Sequence, residues 1–203
     1  MSNYVDRFTT WERVLHWLLA VAFFVLIFTG LGLFSRTFFG FFHFFGGPQQ
    51  GILIHKIAGV VFFLASVLLF FSHVRDVVRF DADDRRWFSS LGGYLTRKRV
   101  DIPQGKFNAG EKVFGLFSFF ATLVMGLTGL VIWDPTAFSR GLTRVSLMVH
   151  VLFFVLFITA VIVHVYLATI GNPGTVEGML WGRVRRGWAR KNASKWYEEV
   201  AKD

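Results

Sequence analysis

Long apolar runs alternate with short polar breaks along this chain, and the length of the runs predicts its elements. Predominantly apolar stretches occur at about residues 12–34, 52–76, 111–133 and 145–170, each matching the ~20 residues that a helix needs to cross a bilayer. The separators have helix-breaking chemistry: GGPQQG at 46–51, WDPT at 133–136 and GNPG at 171–174. Proline removes a backbone donor there and glycine permits the turn. The pattern predicts an all-α membrane protein: a four-transmembrane-helix bundle forming one domain over residues 1–203, with a tail over 175–203.

Composition sharpens this picture. Of 203 residues, 54% are hydrophobic and 18% aromatic, which leaves no length for a further soluble domain. A formal net charge of +9 could suggest nucleic acid, but the basic residues flank apolar spans and no DNA-recognition motif is present, so no nucleic-acid partner is expected. The second connection holds Arg79, Arg85, Arg86, Arg97, Lys98, Arg99 and Lys106, and the tail holds Arg183, Arg185, Arg186, Arg190, Lys191, Lys195 and Lys202. The first and third connections hold Arg36, Arg140 and Arg144. Cytoplasmic flanks keep the excess of Lys and Arg, so both termini are expected in the cytoplasm. The N-terminus, MSNYVDRFTTWERVLHW, is acidic and polar where a cleavable signal starts basic, so the first span is expected to stay. From Thr175 onward Arg and Lys alternate with Trp181, Trp188 and Trp196, which predicts an amphipathic tail along the anionic inner leaflet. A solvated tail is the alternative for its last residues.

With no cysteine, the chain cannot ligate an iron–sulfur cluster, attach a c-type haem or form a disulfide. Any redox cofactor is then held by histidine or without a protein ligand. Four of the six histidines fall inside predicted spans: His16 in the first, His55 in the second, His150 and His164 in the fourth. Ionisable groups in a membrane are costly and usually functional. Fourteen residues separate His150 from His164, about 1,400° of helix and within ~40° of whole turns, so both face one side roughly 21 Å apart. They cannot share one ion. Under the predicted topology His16 and His164 lie level near the cytoplasm, and His55 and His150 lie level near the other side. Each pair could supply both axial ligands of a haem iron, whereas structural zinc wants four ligands. A hydrogen bond to a neighbouring helix explains an isolated buried histidine, but two level pairs favour two bis-histidyl haems. His43 and His73 have no level partner and are assigned no ligand role. Gly30, Gly32, Gly59, Gly126 and Gly129 would admit a ring or another helix. Arg13, one turn before His16, is a candidate partner for a haem propionate or a topology anchor.

The segments RFTTWERVLHW, GILIHKIAG, KFNAGEK, SLMVHVLF, VIVHVYLA and VEGMLWGRVRRGWARKNASKWYEE together resemble the gamma subunits of membrane-bound respiratory formate dehydrogenases, which are cytochromes b. The likeness covers nearly the whole chain. The histidine motifs are shared with cytochromes b of hydrogenases and thiosulfate reductases; the NAG stretch and the tail are the more specific part. The resemblance implies a multi-pass protein of the bacterial inner membrane with two haem b groups. His55 and His150 would ligate the outer haem iron, and His16 and His164 the inner one. An iron–sulfur beta subunit would deliver electrons from a molybdenum- or tungsten-containing alpha subunit that oxidises formate. Menaquinone or ubiquinone would be reduced beside the inner haem, with Asn108, Gly110 and His164 at the quinone. Where the family often has Gln, this chain has Glu111, which could relay a proton; Tyr166 is a further candidate for the same site. The residues also allow a plain reading, because FNAGEK matches an Asn N-cap with Glu111 in the first turn of a helix. Rival functions are the same electron-transfer role for a hydrogenase or another periplasmic oxidoreductase, a histidine-relay transporter, and a structural anchor. Exposed apolar surface could take lipid, a partner's anchoring helix or another copy in a higher oligomer.

Overall fold

The computed structural model describes residues 2–93 and 101–201. Arg97, Lys98, Arg99 and Lys202, counted above toward topology, lie outside the described residues. In chain order the elements are β1 (Tyr4–Asp6), α1 (Thr10–Phe34), a 3-10 helix (Arg36–Phe45), α2 (Pro48–Val78), α3 (Ala82–Ser90), α4 (Ala109–Trp133), α5 (Arg140–Tyr166), a π-helical turn (Leu167–Gly171), α6 (Thr175–Trp181), β2 (Arg183–Arg185), α7 (Arg186–Asn192) and α8 (Ser194–Val200). The four long helices, α1, α2, α4 and α5 with its π turn, are apolar and long enough to cross a membrane. In their most apolar windows only 22%, 22%, 11% and 11% of residues are buried, so most of their apolar side chains point outward, as suits lipid rather than water. The chain is a multi-pass membrane protein.

Helix starts follow local chemistry. Three begin with a capping box, in which an N-cap side chain and the residue three positions on satisfy each other's backbone amides. Thr9 and Glu12 do this for α1, Asp81 and Asp84 for α3, and Asn108 and Glu111 for α4. Proline opens α2 at Pro48, where its missing N–H costs nothing.

The described residues cluster into two compact units. The first, here the helical unit, comprises Val14–Leu69 and Phe119–Ile158. The rings of Phe23, Phe62 and Phe157 meet with centroids 5.3–5.8 Å apart, and Ser66 and Thr122 share a buried hydrogen bond of 3.0 Å. Glycines decide how closely rings approach. A Cβ at Gly126 would stand 2.8 Å from Phe63 and one at Gly32 3.1 Å from Phe42, while one at Gly51 would overlap Phe42 outright. Phe42 is thus a wedge from the 3-10 connection, seated where two helices carry no side chain.

The other, here the terminal unit, comprises Met1–Arg13, Phe70–Ser118 and Thr159–Asp203. In it β1 pairs antiparallel with β2, Tyr4 opposite Arg185 and Asp6 opposite Arg183. Val184 at the centre of β2 is fully buried and nucleates a cluster with Ala189, Ala193, Trp196 and Tyr197, against which Val5, Trp188 and Val200 pack. The tail folds around a core of its own, with Trp196 7% exposed, which corrects the alternative of a solvated end; Trp181 at 66% keeps an exposed aromatic face, as an amphipathic tail does. Lys195 ties it to α3 through Asp81 and Asp83 at 2.6 and 2.7 Å, and its backbone N–H donates to the Gln104 carbonyl at 2.9 Å. Arg13 donates to the carbonyls of Met179 and Leu180 at the end of α6, which satisfies two orphan helix carbonyls.

Candidate functional site

In the helical unit, two histidines are held in the same way. The Oγ1 of Thr29 lies 2.8 Å from His55 Nδ1, and the Oγ1 of Thr128 lies 2.9 Å from His150 Nδ1. Each hydroxyl also sits 2.7 Å from the carbonyl four residues back, Val25 for Thr29 and Val124 for Thr128. A hydroxyl has one proton. Donated to the carbonyl, as those short distances favour, it leaves the oxygen to accept from Nδ1–H, so the proton of each ring is assigned to Nδ1 and Nε2 keeps a lone pair. That is the tautomer of an imidazole ready to ligate through Nε2.

A glycine follows each threonine. A Cβ at Gly30 would stand 3.5 Å from His55 Cε1, and one at Gly129 would stand 3.6 Å from His150 Cε1. Thr29-Gly30 on α1 therefore serves His55 of α2 as Thr128-Gly129 on α4 serves His150 of α5. Among the described residues no group of three or more His, Cys, Asp or Glu is placed to hold a metal ion. A two-imidazole donor set fits a metal whose other ligands come from a flat macrocycle, and the glycines leave room beside each imidazole. The signal is present in the sequence, because TGL occurs at 29–31 and again at 128–130, but only the fold shows which histidine each threonine meets. His16 also belongs to the helical unit, with its ring edge-on to Trp17 at 5.4 Å.

In the terminal unit, His164 stacks on Phe114 with centroids 4.5 Å apart and planes within 4°. The α4 capping box fixes Asn108 and Glu111: Glu111 N–H donates to Asn108 Oδ1 at 2.9 Å, and Asn108 N–H donates to Glu111 Oε2 at 2.8 Å. Capping uses Asn108 Oδ1 and leaves its NH₂ group as a donor. The space beside Gly110 holds the Trp87 ring, which would lie 2.7 Å from an added Cβ. Tyr166, the last residue of α5, is more than half exposed.

Beside the capping box lies a charged cluster that spacing did not reveal. Glu111 Oε1 is 3.5 Å from Arg7 Nη2, and the same nitrogen donates to the Lys106 carbonyl at 2.7 Å. The Arg7 guanidinium is sandwiched by the rings of Phe8, Phe107 and Trp188 at 4.6–5.9 Å. Burial pushes its pKa down, and Glu111 partly offsets this. Glu12 Oε1 lies 3.4 Å from His73 Nδ1 and 3.8 Å from Lys106 Nζ. Lys112 donates to Asp84 at 2.6 Å and to the Arg79 carbonyl at 2.8 Å. His73, set aside in the sequence for want of a level partner, is thus in contact with a buried carboxylate.

Membrane-crossing helices carrying imidazoles held at Nδ1 by threonine hydroxyls suit the cytochrome b class of membrane protein. The chain belongs to the prokaryotic cytochrome b561 family, whose profile matches residues 7–182; membership implies haem b. It is 30% identical to the nitrate-inducible formate dehydrogenase cytochrome b556(Fdn) subunit of Escherichia coli, over 99% of this chain and 94% of that one. It is 32% identical to the formate dehydrogenase cytochrome b556(fdo) subunit of the same organism, over 98% and 94%. The formate dehydrogenase cytochrome b556 subunit of Haemophilus influenzae is 28% identical, over 96% and 83%.

Proposed function

We propose that the chain is the di-haem cytochrome b subunit of a formate dehydrogenase, working with an iron–sulfur subunit and a molybdenum- or tungsten-containing catalytic subunit. The matched Thr29–His55 and Thr128–His150 contacts are the observation that carries the haem reading, and the names of relatives matched along nearly their whole length support the choice of formate dehydrogenase. His55 and His150 hold the outer haem iron, and His16 and His164 the inner one. Bound haem supplies reversible one-electron transfer. The residues around it set ligand tautomer, exclude water with aromatic side chains and fix the imidazoles against rotation.

The tail and N-terminus pair through β1 and β2, which supports both termini lying on one side, and the basic tail supports that side being the cytoplasm. Electrons then move inward to menaquinone or ubiquinone. The quinone site comprises Asn108, Gly110, Glu111, His164 and Tyr166. The NH₂ group of Asn108 is the donor to a quinone oxygen, and Glu111, paired with Arg7, is the carboxylate nearest to pass a proton. Formate added to the native complex reduces both b haems, and a quinone then reoxidises them. A complex in which formate leaves the haems oxidised contradicts the formate assignment.

A further inference from the structure

We infer that His73 and Glu12 form a buried proton-holding pair, with Lys106 at its outer side, that supplies one of the two protons consumed when quinone is reduced. The inference rests on the quinone reading above and adds to it the route by which a proton reaches that end of α4. His73 lies on α2 and is 7% exposed; Glu12 lies on α1 and is 8% exposed. Glu12 Oε2 is engaged by the amide and hydroxyl of Thr9 at 2.7 and 3.0 Å, which leaves Oε1 facing His73 Nδ1 at 3.4 Å and Lys106 Nζ at 3.8 Å. Both ring nitrogens of His73 are buried and neither makes a hydrogen bond among the described residues; Nδ1 meets Glu12 at ion-pair range and Nε2 is open.

A histidine there solely to fill space would be a costly choice. Phe8 and Phe107 meet its ring edge-on at 5.7 and 5.2 Å, an aromatic niche that phenylalanine would fill without a buried, unpaired nitrogen. What histidine adds is two nitrogens, one beside a carboxylate and one open, so that a proton can arrive on one and leave from the other. The charges facing the ring are Lys106 and Arg7 from the segments before α4 and α1, Glu12 from α1, and Asp76 from its own helix. Phe107 adjoins Asn108 in the chain, and Arg7 bonds both the Lys106 carbonyl and Glu111, so the pair abuts the proposed quinone residues.

The step balances simply. One cytoplasmic proton converts the His73 imidazole to imidazolium beside the Glu12 carboxylate. When the quinone accepts two electrons, the imidazolium returns that proton toward a quinone oxygen, and a second proton arrives by Glu111. His73 and Glu12 act through the intervening groups and need not touch the quinone.

The test uses the native complex isolated from membranes, with formate as donor and a short-chain benzoquinone as acceptor, comparing wild type with His73→Phe and Glu12→Gln. Positioned proton transfer contributes about 10²-fold at the low end. Quinol formation should fall by about 10²-fold at alkaline pH and recover toward wild type as pH drops, with a larger solvent deuterium isotope effect. Haem content and haem reduction by formate should not change. A His73→Gln variant, which keeps a polar side chain but cannot carry the proton as imidazole does, should behave like His73→Phe and serves if the latter fails to assemble. Equal pH–rate profiles in wild type and variants would overturn the relay while leaving the quinone reading intact. A wild-type complex that cannot reduce the benzoquinone, although formate reduces its haems, would overturn both.

Discussion

Replacing Thr29 with valine keeps the shape of a fully buried side chain and deletes the oxygen 2.8 Å from His55 Nδ1. The imidazole then has two choices. It can keep its proton on Nδ1, leaving a buried donor unpaired at a cost of about 1–3 kcal/mol. Alternatively it can move the proton to Nε2 and lose the lone pair that ligates iron. Either way the ligand weakens, and loss of an outer-shell partner typically lowers metal affinity 10- to 100-fold, about 1.4–2.7 kcal/mol. The helix itself loses little, because the Val25 carbonyl keeps its backbone partner in α1. The assay is transfer of haem from the detergent-purified protein to excess apomyoglobin, followed in the Soret band. Thr29→Val should release one of two haems about 10- to 100-fold more completely at equilibrium, Thr128→Val should release the same haem, and Thr29→Ser should retain it. If Thr29→Val holds both haems as tightly as wild type, the hydroxyl does not set the tautomer and the ligand role of His55 loses its physical basis.

Other expectations follow from packing and charge. At Gly30 an added Cβ meets His55 at 3.5 Å, an ordinary contact, so Gly30→Ala should keep its haem while Gly30→Leu should displace it, as pyridine haemochrome counts will register. Trp196→Ala should cost about 3–5 kcal/mol locally and expose the tail to limited proteolysis without changing haem content; tail cleavage no faster than in wild type would contradict the tail core. The Lys195 ammonium, then the Asp84 backbone amide, hold the Asp81 carboxyl down to about 2. Because the folded value is depressed, its contribution is present above the unfolded value of ~3.9 and is lost as pH falls toward about 2. Asp81 is exposed, so the ion pair is worth ~0–1 kcal/mol. Hydrogen exchange in α3 and α8 should therefore show a small loss of protection through that window in wild type and none in the Asp81→Asn, Asp83→Asn double variant, because Asp83 also pairs with Lys195.

The four spans were legible because apolar length is a coarse signal set by bilayer thickness: each predicted run lies within a long helix, α1, α2, α4 or α5 with its π turn. The N-cap reading of Asn108 was equally local and matches the capping box. What the sequence hid depends on contacts distant along the chain. Strands of three residues, β1 and β2, are too short to show a period of two, so the core that Val184 and Trp196 give the tail leaves no periodic signal in the sequence. Trp87 against Gly110 and His73 against Glu12 join residues far apart in sequence, with no spacing rule to announce them. The threonines behind His55 and His150 lay between these extremes, since a repeated TGL was visible but its meaning required knowing which helices face each other.

Quantifying haem and recording the low-temperature EPR spectrum of the purified native complex, in wild type and in His55→Phe and His150→Phe, puts the paired-imidazole reading to the sharpest trial. Two b haems with bis-imidazole signals in wild type, and loss of the same single signal in both variants, are the predicted result. An absent Soret band in the wild type, or full haem content in either variant, would contradict it.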